Sequence, residues 1–334
     1  MKRALLVGAG GMGQGWADNI LKNERTELAG WVDVFPGKAA EEAQKRNLDI
    51  WTGENLEAAI AGTQPDFVVD VTIPEAHCEV TLTALAQGIP VLGEKPMASS
   101  MDEARQMVAA SEASGKLYMV SQSRRYAGGV RAYRTLVQEE LGRLGILNAD
   151  FYIGAHFGGF RDEMPSPLVL DMAIHTFDAA RYISGADPVS VYAEEFNPSW
   201  SWYKGDASAT CLFEMSNGLR FTYRGSWCAE GLHSSWEGDW RAVGEHGTAL
   251  WDGGAVVRGE VVGKTGSFFS ECRPVTRAIT EIPYGIASSL NEFLDALEGG
   301  PTPNGECHDN IKSLAMVFAA MQSSREGRRV AIAI

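Results

Sequence analysis

The chain has 334 residues, 45% apolar and 22% charged, with a formal net charge of -14 and a pI near 4.9. That length is enough for two domains of ordinary size. The acidic balance excludes nucleic acid or an anionic membrane surface as the main partner. No apolar run is long enough to span a bilayer, and the start "MKRALLVGAG" breaks into glycines too soon for a signal peptide. Five scattered cysteines (Cys78, Cys211, Cys228, Cys272, Cys307) without a C-x-x-C pair suit a reducing compartment. The expectation is a cytoplasmic protein with neither a disulfide framework nor a metal site.

The first third alternates strands and helices. "ALLVGAG" reads as a buried strand, "GWADNILKN" as a helix, "ELAGWVD" as a strand and "GKAAEEAQKR" as a helix. "DFVVDVTIP" and "PVLGEKP" are further apolar strands around the helix "CEVTLTALAQG". Ser100 and Glu103 form a capping-box pattern ahead of "MDEARQMVAASEASG", and "LYMVSQS" is one more strand. Strands apolar throughout, alternating with helices, predict a doubly wound parallel sheet covered on both faces.

After about residue 123 the texture changes. A helix "VRAYRTLVQEEL", a strand "GILNADFYIG" and a long helix "PLVLDMAIHTFDAARYI" lead into β-rich sequence. "ATCLFEMSNGLRFTYRGSW" is two alternating runs joined by Asn217-Gly218, a hairpin signal. "RAVGEHGTALWDGGAVV" extends the meander, and two helices, "SSLNEFLDALEG" and "NIKSLAMVFAAMQSSRE", close the chain. The expected fold is therefore α/β: an N-terminal domain over 1–123, and a domain over 124–334 with a mainly antiparallel open sheet. The last helix has the option of packing back on the first domain.

Gly8-x-Gly10-x-x-Gly13 has the spacing of a dinucleotide site. The first glycine permits a tight turn, the second lets backbone approach a pyrophosphate, and the third lets helix and strand pack closely. The helix it opens offers free N–H groups to phosphate. Alone, such a cluster serves equally well as a ligand-free turn. Asp33 shifts the balance: it ends the second strand roughly 20 residues on, where an acid accepts ribose hydroxyls and repels a 2′-phosphate. NAD is therefore expected, with NADP as the alternative because Lys38 stands nearby.

Two later strand ends carry polar residues where α/β sheets bind ligands: Thr72, Pro74 and His77 in "VTIPEAH", and Glu94, Lys95 and Pro96 in "GEKP". Lys95 there can set its ammonium beside a substrate oxygen, the alternative being a surface lysine. Further on, Asp171 and His175 stand four apart in a helical pattern, with Asp178 three beyond. A carboxylate beside an imidazole makes a general base; a simple surface pair is the plain alternative, and no third metal ligand has suitable spacing.

"GAGGMG", "VTIPEAH", "GEKP" and the D-x-x-x-H of "LDMAIH" together resemble the Gfo/Idh/MocA family, that of glucose–fructose oxidoreductase and inositol 2-dehydrogenase. The ending "NIKSLAMVFAAMQSSREGRRVAI" is similar to its closing helix and strand, so the likeness covers the whole chain. It implies a Rossmann domain, and a second α/β domain whose open sheet often makes a homo-oligomer, here a dimer or tetramer. It also implies NAD(P)-dependent hydride exchange at a hydroxyl or carbonyl carbon of a sugar, polyol or sugar derivative. On this resemblance Lys95, Asp171 and His175 match the catalytic residues. His175 would remove the hydroxyl proton, Lys95 would stabilise the negative oxygen, and Asp171 would orient or charge-balance His175. Gly8, Gly10, Gly11, Met12, Gly13, Asp33, Thr72, Pro74, His77, Glu94 and Lys95 fall on the cofactor side. Family members commonly carry an arginine–aromatic pair where Arg125 and Tyr126 stand, which makes these two substrate candidates.

The loop "AHFGGFRDEMPS" adds His156 and Arg161 to the substrate candidates. Of the tryptophans clustered after residue 199, Trp200, Trp202 and Trp236 are candidates to line a sugar site, with sheet or subunit packing as the alternative. The sequence departs from many members at Ser166-Pro167-Leu168 and Ala173, where glycines are common. Two other classes stay open: a redox-neutral sugar-modifying enzyme with retained NAD, and a non-catalytic nucleotide-sensing regulator.

Overall fold

A computed structural model describes residues 1–265, 268–280 and 285–334. In chain order it has β1 (Lys2–Val7), α1 (Gly11–Lys22), β2 (Thr26–Val32), α2 (Lys38–Lys45), β3 (Trp51–Gly53) and α3 (Leu56–Thr63). Next come β4 (Phe67–Asp70), α4 (Pro74–Ala86), β5 (Val91–Glu94), α5 (Met101–Ser114) and β6 (Tyr118–Ser121). Then follow α6 (Gly128–Glu140), β7 (Leu144–Tyr152), α7 (Phe160–Glu163), α8 (Ile174–Ser184), β8 (Pro188–Phe196), β9 (Ser208–Met215) and β10 (Arg220–Ser226). The chain ends with β11 (Asp239–Gly244), β12 (Gly247–Trp251), β13 (Val256–Lys264), β14 (Glu271–Ala278), α9 (Ile286–Leu297), α10 (Cys307–Glu326) and β15 (Val330–Ala331). It divides into two compact units, Met1–Ser123 with Gly285–Ile311, and Arg124–Tyr284 with Lys312–Ile334.

The first unit is built on a six-stranded sheet in the order β3-β2-β1-β4-β5-β6, every pair parallel. Strands buried on both faces need apolar residues at every position, and Leu5, Leu6, Val68, Val69 and Leu92 are all fully buried. β3 and α3 were absent from the sequence reading. A strand of 3 residues and a helix of 8 carry too few periods for a pattern to show. The Ser100 cap forms, its Oγ accepting from Glu103 N at 3.2 Å. The reciprocal bond shifts by one residue, with Glu103 accepting from Ser99 N and Oγ.

Gly285–Ile311 groups with this unit, where the sequence assigns 124–334 to the second domain with the option that the last helix packs back on the first. The reason is the apolar face of α9. Leu290, Phe293 and Leu294 are fully buried, Phe293 lies 5.5 Å from the Phe67 ring of β4, and Arg25 pairs with Asp295 at 2.8 Å and Glu298 at 3.0 Å.

The second unit carries a nine-stranded sheet, β14-β13-β12-β11-β7-β10-β9-β8-β15, antiparallel except where β7 runs parallel to β10. The Asn217-Gly218 hairpin joins β9 to β10 as expected, with Phe213 opposite Phe221 and Gly218 at a φ of +83°. Phe177 of α8 packs edge-on against Phe213 at 4.9 Å and Tyr223 at 5.3 Å. The expected long helix over 167–183 is not uniform: Leu168–Ala173 is a π-helical stretch that passes into α8. Such widened turns re-aim side chains, and Asp171 sits within this one.

Removing the Phe293 ring tests the placement of α9. Phe293→Ala is expected to destabilise the first unit by ~3–5 kcal/mol, as for a large ring deleted from a packed core. Urea unfolding followed by circular dichroism checks this, and a cost under ~1 kcal/mol contradicts the placement.

Candidate active site

In the first unit the expected cofactor residues gather at the carboxyl ends of β1, β2, β4 and β5, beside the point where the strand order reverses. Two glycines are demanded by the protein itself. Gly8 has a φ of +105°, and a Cβ there would meet the Val71 carbonyl oxygen at 2.5 Å. A Cβ on Gly13 would lie 2.1 Å from the Gly8 oxygen. Gly10 and Gly11 differ, since an added Cβ would meet nothing within 4 Å. No packing requires their bareness; a pyrophosphate brought against the backbone would. Gly10 caps α1 without a side-chain hydrogen bond, so the N–H groups of the first turn point toward that space, with Met12 beside them 54% exposed. The cradle fits a dinucleotide.

Asp33 follows β2 and is buried, with Oδ2 accepting from Ala9 N at 2.6 Å and Oδ1 from Phe35 N at 2.9 Å. Each carboxylate oxygen keeps a second lone pair for a ribose hydroxyl. Lys38 Nζ lies 5.3 Å from the Phe35 ring centre, over its face. Trp31, which the sequence reading passed over, donates its indole N–H to Gly8 O at 2.9 Å and so fixes the turn.

At the end of β4 the organising residue is Asp70, also missed, and wholly buried. It accepts from Thr72 Oγ1 at 2.7 Å and pairs with His77 Nδ1 at 2.9 Å. His77 lies in the first turn of α4, which starts at Pro74 and not at the residue after His77 as the pattern suggested. Burial pulls the His77 pKa down, but the Asp70 charge and hydrogen bond, with Glu94 and Glu75, outweigh it and raise it. The available signal was an acid ending a strand with Thr two and His seven residues on.

At the end of β5, Glu94 is buried and accepts from Trp16 Nε1 of α1 at 2.8 Å and from Lys95 N at 3.1 Å. Burial raises its pKa, opposed by those bonds and by the Lys95 charge. Lys95 follows, half-buried, on a cis bond to Pro96.

In the second unit, Asp171 and His175 are both half-buried. Arg161 donates Nε to Asp171 Oδ2 at 2.6 Å, with its guanidinium over the Phe157 and Phe160 rings at 5.0 and 4.7 Å. Arg161, expected at the substrate, thus balances the charge of Asp171. Arg125 departs further from expectation. It is 5% exposed, and its Nε and Nη2 form a fork on Asp178 at 2.7 and 2.6 Å. Asp178 also accepts from Ser313 Oγ at 2.7 Å. Tyr126 is buried beneath Arg131. Arg124 reaches the Trp236 carbonyl and the Met172 sulfur, and burial lowers its pKa against the pull of Glu237.

His156 stacks on Trp202 with ring centres 3.7 Å apart and pairs with Glu230 at 2.8 Å. Trp236 is 48% exposed near Phe151 and Phe157, while Trp200 is 71% exposed. The remaining late tryptophans, Trp227, Trp240 and Trp251, are core residues.

The two kinds of glycine separate by experiment. Gly8→Ala should cost at least ~2 kcal/mol of stability through forbidden backbone and contact. Gly10→Ala should unfold like wild type yet bind the dinucleotide ~10-fold or more weakly, ~1.4 kcal/mol or more by calorimetry. A Gly10→Ala variant with full affinity removes the cradle reading. For His77, a raised folded pKa means stability fully present below pH ~6.5 and lost as pH rises through the folded value. His77→Asn keeps a donor for Asp70 and should flatten that decline in urea midpoints; an unchanged slope counts against the pair.

Residues 2–122 match the family model described as the oxidoreductase family with NAD-binding Rossmann fold, and residues 130–250 match the family's C-terminal domain. An uncharacterized protein, y4oX, of Sinorhizobium fredii is 30% identical over 99% of this chain and 95% of its own length. Inositol 2-dehydrogenase of Rhizobium meliloti is 26% identical, covering 98% of each chain. The crystal structure of an oxidoreductase from Agrobacterium radiobacter, in complex with NAD+, L-tartaric acid and magnesium, shares the fold. Its TM-score is 0.87 at 23% identity, over 99% of this chain and 98% of that one. The chain belongs to the Gfo/Idh/MocA oxidoreductase family, and its N-terminal part is an NAD-binding Rossmann domain.

Proposed function

We propose that the protein is an NAD-dependent dehydrogenase or reductase acting at a hydroxyl or carbonyl carbon of a sugar, polyol or sugar derivative. The observation that carries this reading is the double contact of Glu94. One carboxylate holds the indole of α1, the helix that opens at the glycine cradle, and the backbone N–H of Lys95. Lys95 is thereby held in register with the element that would bind pyrophosphate. The first unit takes the cofactor role in this reading, and the second the substrate role.

When bound, the nicotinamide supplies a hydride acceptor or donor. The Lys95 ammonium stabilises negative charge on the substrate oxygen. His175 takes the hydroxyl proton in oxidation and returns it in reduction. Asp171, held by Arg161, sets the charge and orientation of the histidine. Arg125 serves here as a positioning residue through Asp178 and not as a substrate ligand. Asp33 favours NAD over NADP by repelling a 2′-phosphate. The stacked His156–Trp202 pair and the exposed Trp236 offer apolar faces to the C–H face of a sugar ring. The sugar or polyol class is supported by relatives named D-apiose dehydrogenase and inositol 2-dehydrogenase. A homo-oligomer through the second sheet accords with Tyr192, Phe196 and Leu212 on its exposed face.

A panel of sugars, inositols and sugar acids, assayed by reduced-nicotinamide absorbance with NAD and NADP in parallel, tests the reading. Turnover with NAD is expected for one chemical group of substrates. His175→Asn should lower it ~10²–10⁴-fold with NAD affinity kept. Undiminished turnover in that variant removes His175 from the mechanism, and activity with NADP alone overturns the role of Asp33.

A further inference from the structure

One cluster of ligating side chains lies apart from the residues discussed so far. Glu306, Cys307 and His308 are consecutive, with Glu306 bridging to Met119 of β6 and the other two opening α10. Their donor atoms converge. Cys307 Sγ lies 2.9 Å from Glu306 Oε1 and 3.5 Å from His308 Nδ1, and His308 Nδ1 lies 2.8 Å from Glu306 Oε1. A cation at ~2.0–2.3 Å from each atom fits above a triangle of that size. Among the described residues this is the one group of His, Cys, Asp and Glu that meets in this way.

We propose that Glu306, Cys307 and His308 form a divalent metal site for zinc or an ion of similar softness. The donor set argues for that class: thiolate and imidazole select zinc over magnesium or calcium, and a carboxylate completes three protein ligands. The other side of the imidazole supports it. His308 Nε2 lies 2.9 Å from Glu112 Oε1 of α5, the arrangement that fixes a metal-ligating histidine in its tautomer and raises its basicity. A helix N-terminus disfavours a bare cation, but a thiolate and two carboxylates supply enough negative charge to offset the dipole. Cys307 is fully buried whereas His308 is half exposed, so a water takes the fourth position from the solvent side. Binding forms a sulfur–metal bond and releases the Cys307 thiol proton to solvent, with no change of oxidation state.

The consequence is a fastening within the first unit. Val120 N donates to Gly305 O at 2.8 Å, so the ligands stand directly beside the edge strand β6. A bound ion would tie the start of α10 through Glu112 to α5. The inference is independent of the proposed activity. Spacing rules built on C-x-x-C miss this site because its three ligands are adjacent in sequence.

Full-length protein stripped with chelator and then titrated with Zn²⁺ or Co²⁺ tests it. One equivalent is expected to bind, with a thiolate-to-cobalt charge-transfer band for Co²⁺ and a raised Tm for Zn²⁺. Cys307→Ser and His308→Gln should abolish the band and the Tm shift, while Glu112→Gln should weaken binding ~10–100-fold. A charge-transfer band that persists in Cys307→Ser assigns the metal to another cysteine and overturns the proposal. So does a wild type with neither band nor Tm shift, which would leave His308 simply hydrogen-bonded between Glu306 and Glu112.

Discussion

The Gly8 carbonyl oxygen is the point on which the first unit turns. It accepts the Trp31 indole at 2.9 Å, and the bare Cα of Gly13 passes so close that a Cβ would lie 2.1 Å away. Backbone that approaches this closely cannot carry side chains, so strand β1 must empty into glycine before α1 begins. The direction of α1 follows, and with it the free N–H groups of its first turn and the side of the sheet on which Trp16 lies. Trp16 then reaches Glu94, and Glu94 holds the backbone of Lys95. One steric constraint near the N-terminus thus reaches a carboxylate, and the backbone N–H it holds, some eighty residues later.

Each strand end around that turn is secured by a buried carboxylate. Asp33 grips the glycine loop, Asp70 grips Thr72 and His77, and Glu94 grips α1. Buried ionisable groups are a weak source of stability, because desolvation cancels much of the attraction. Their value here is geometric: a carboxylate oriented by backbone amides or an indole has few alternative positions. The second unit uses the same device, with Asp178 receiving both Arg125 and Ser313, and Asp171 receiving Arg161. The π-helical stretch over Leu168–Ala173 adds a further local adjustment at Asp171.

Much of the candidate site was legible from residue types and order. The glycines, Asp33, Thr72, His77, Glu94 and Lys95 stand at strand ends, and strand ends in a buried parallel sheet are visible as points where apolar runs stop. Trp31, Trp16 and Asp70 were not legible as members, since each looks like core or like the end of an apolar strand. Arg125 and Arg161 read as substrate candidates, and each meets a protein carboxylate in the structure. A cationic residue near a candidate site reads as a ligand for substrate, but whether its donors meet a protein carboxylate instead depends on a partner 53 residues away for Arg125 and 10 for Arg161.

By itself the sequence determined the alternation of layers, the dinucleotide cradle, the Asn217-Gly218 hairpin and the types of group available for chemistry. These are local properties, written in periodicity, turn residues and spacing over a few positions. Tertiary structure alone decided that α9 joins the first unit, that Arg125 is locked on Asp178, and that Glu306, Cys307 and His308 turn their donor atoms toward one point. Those outcomes rest on packing and charge pairing between residues whose separation along the chain carries no pattern, so only the folded chain brings them into contact.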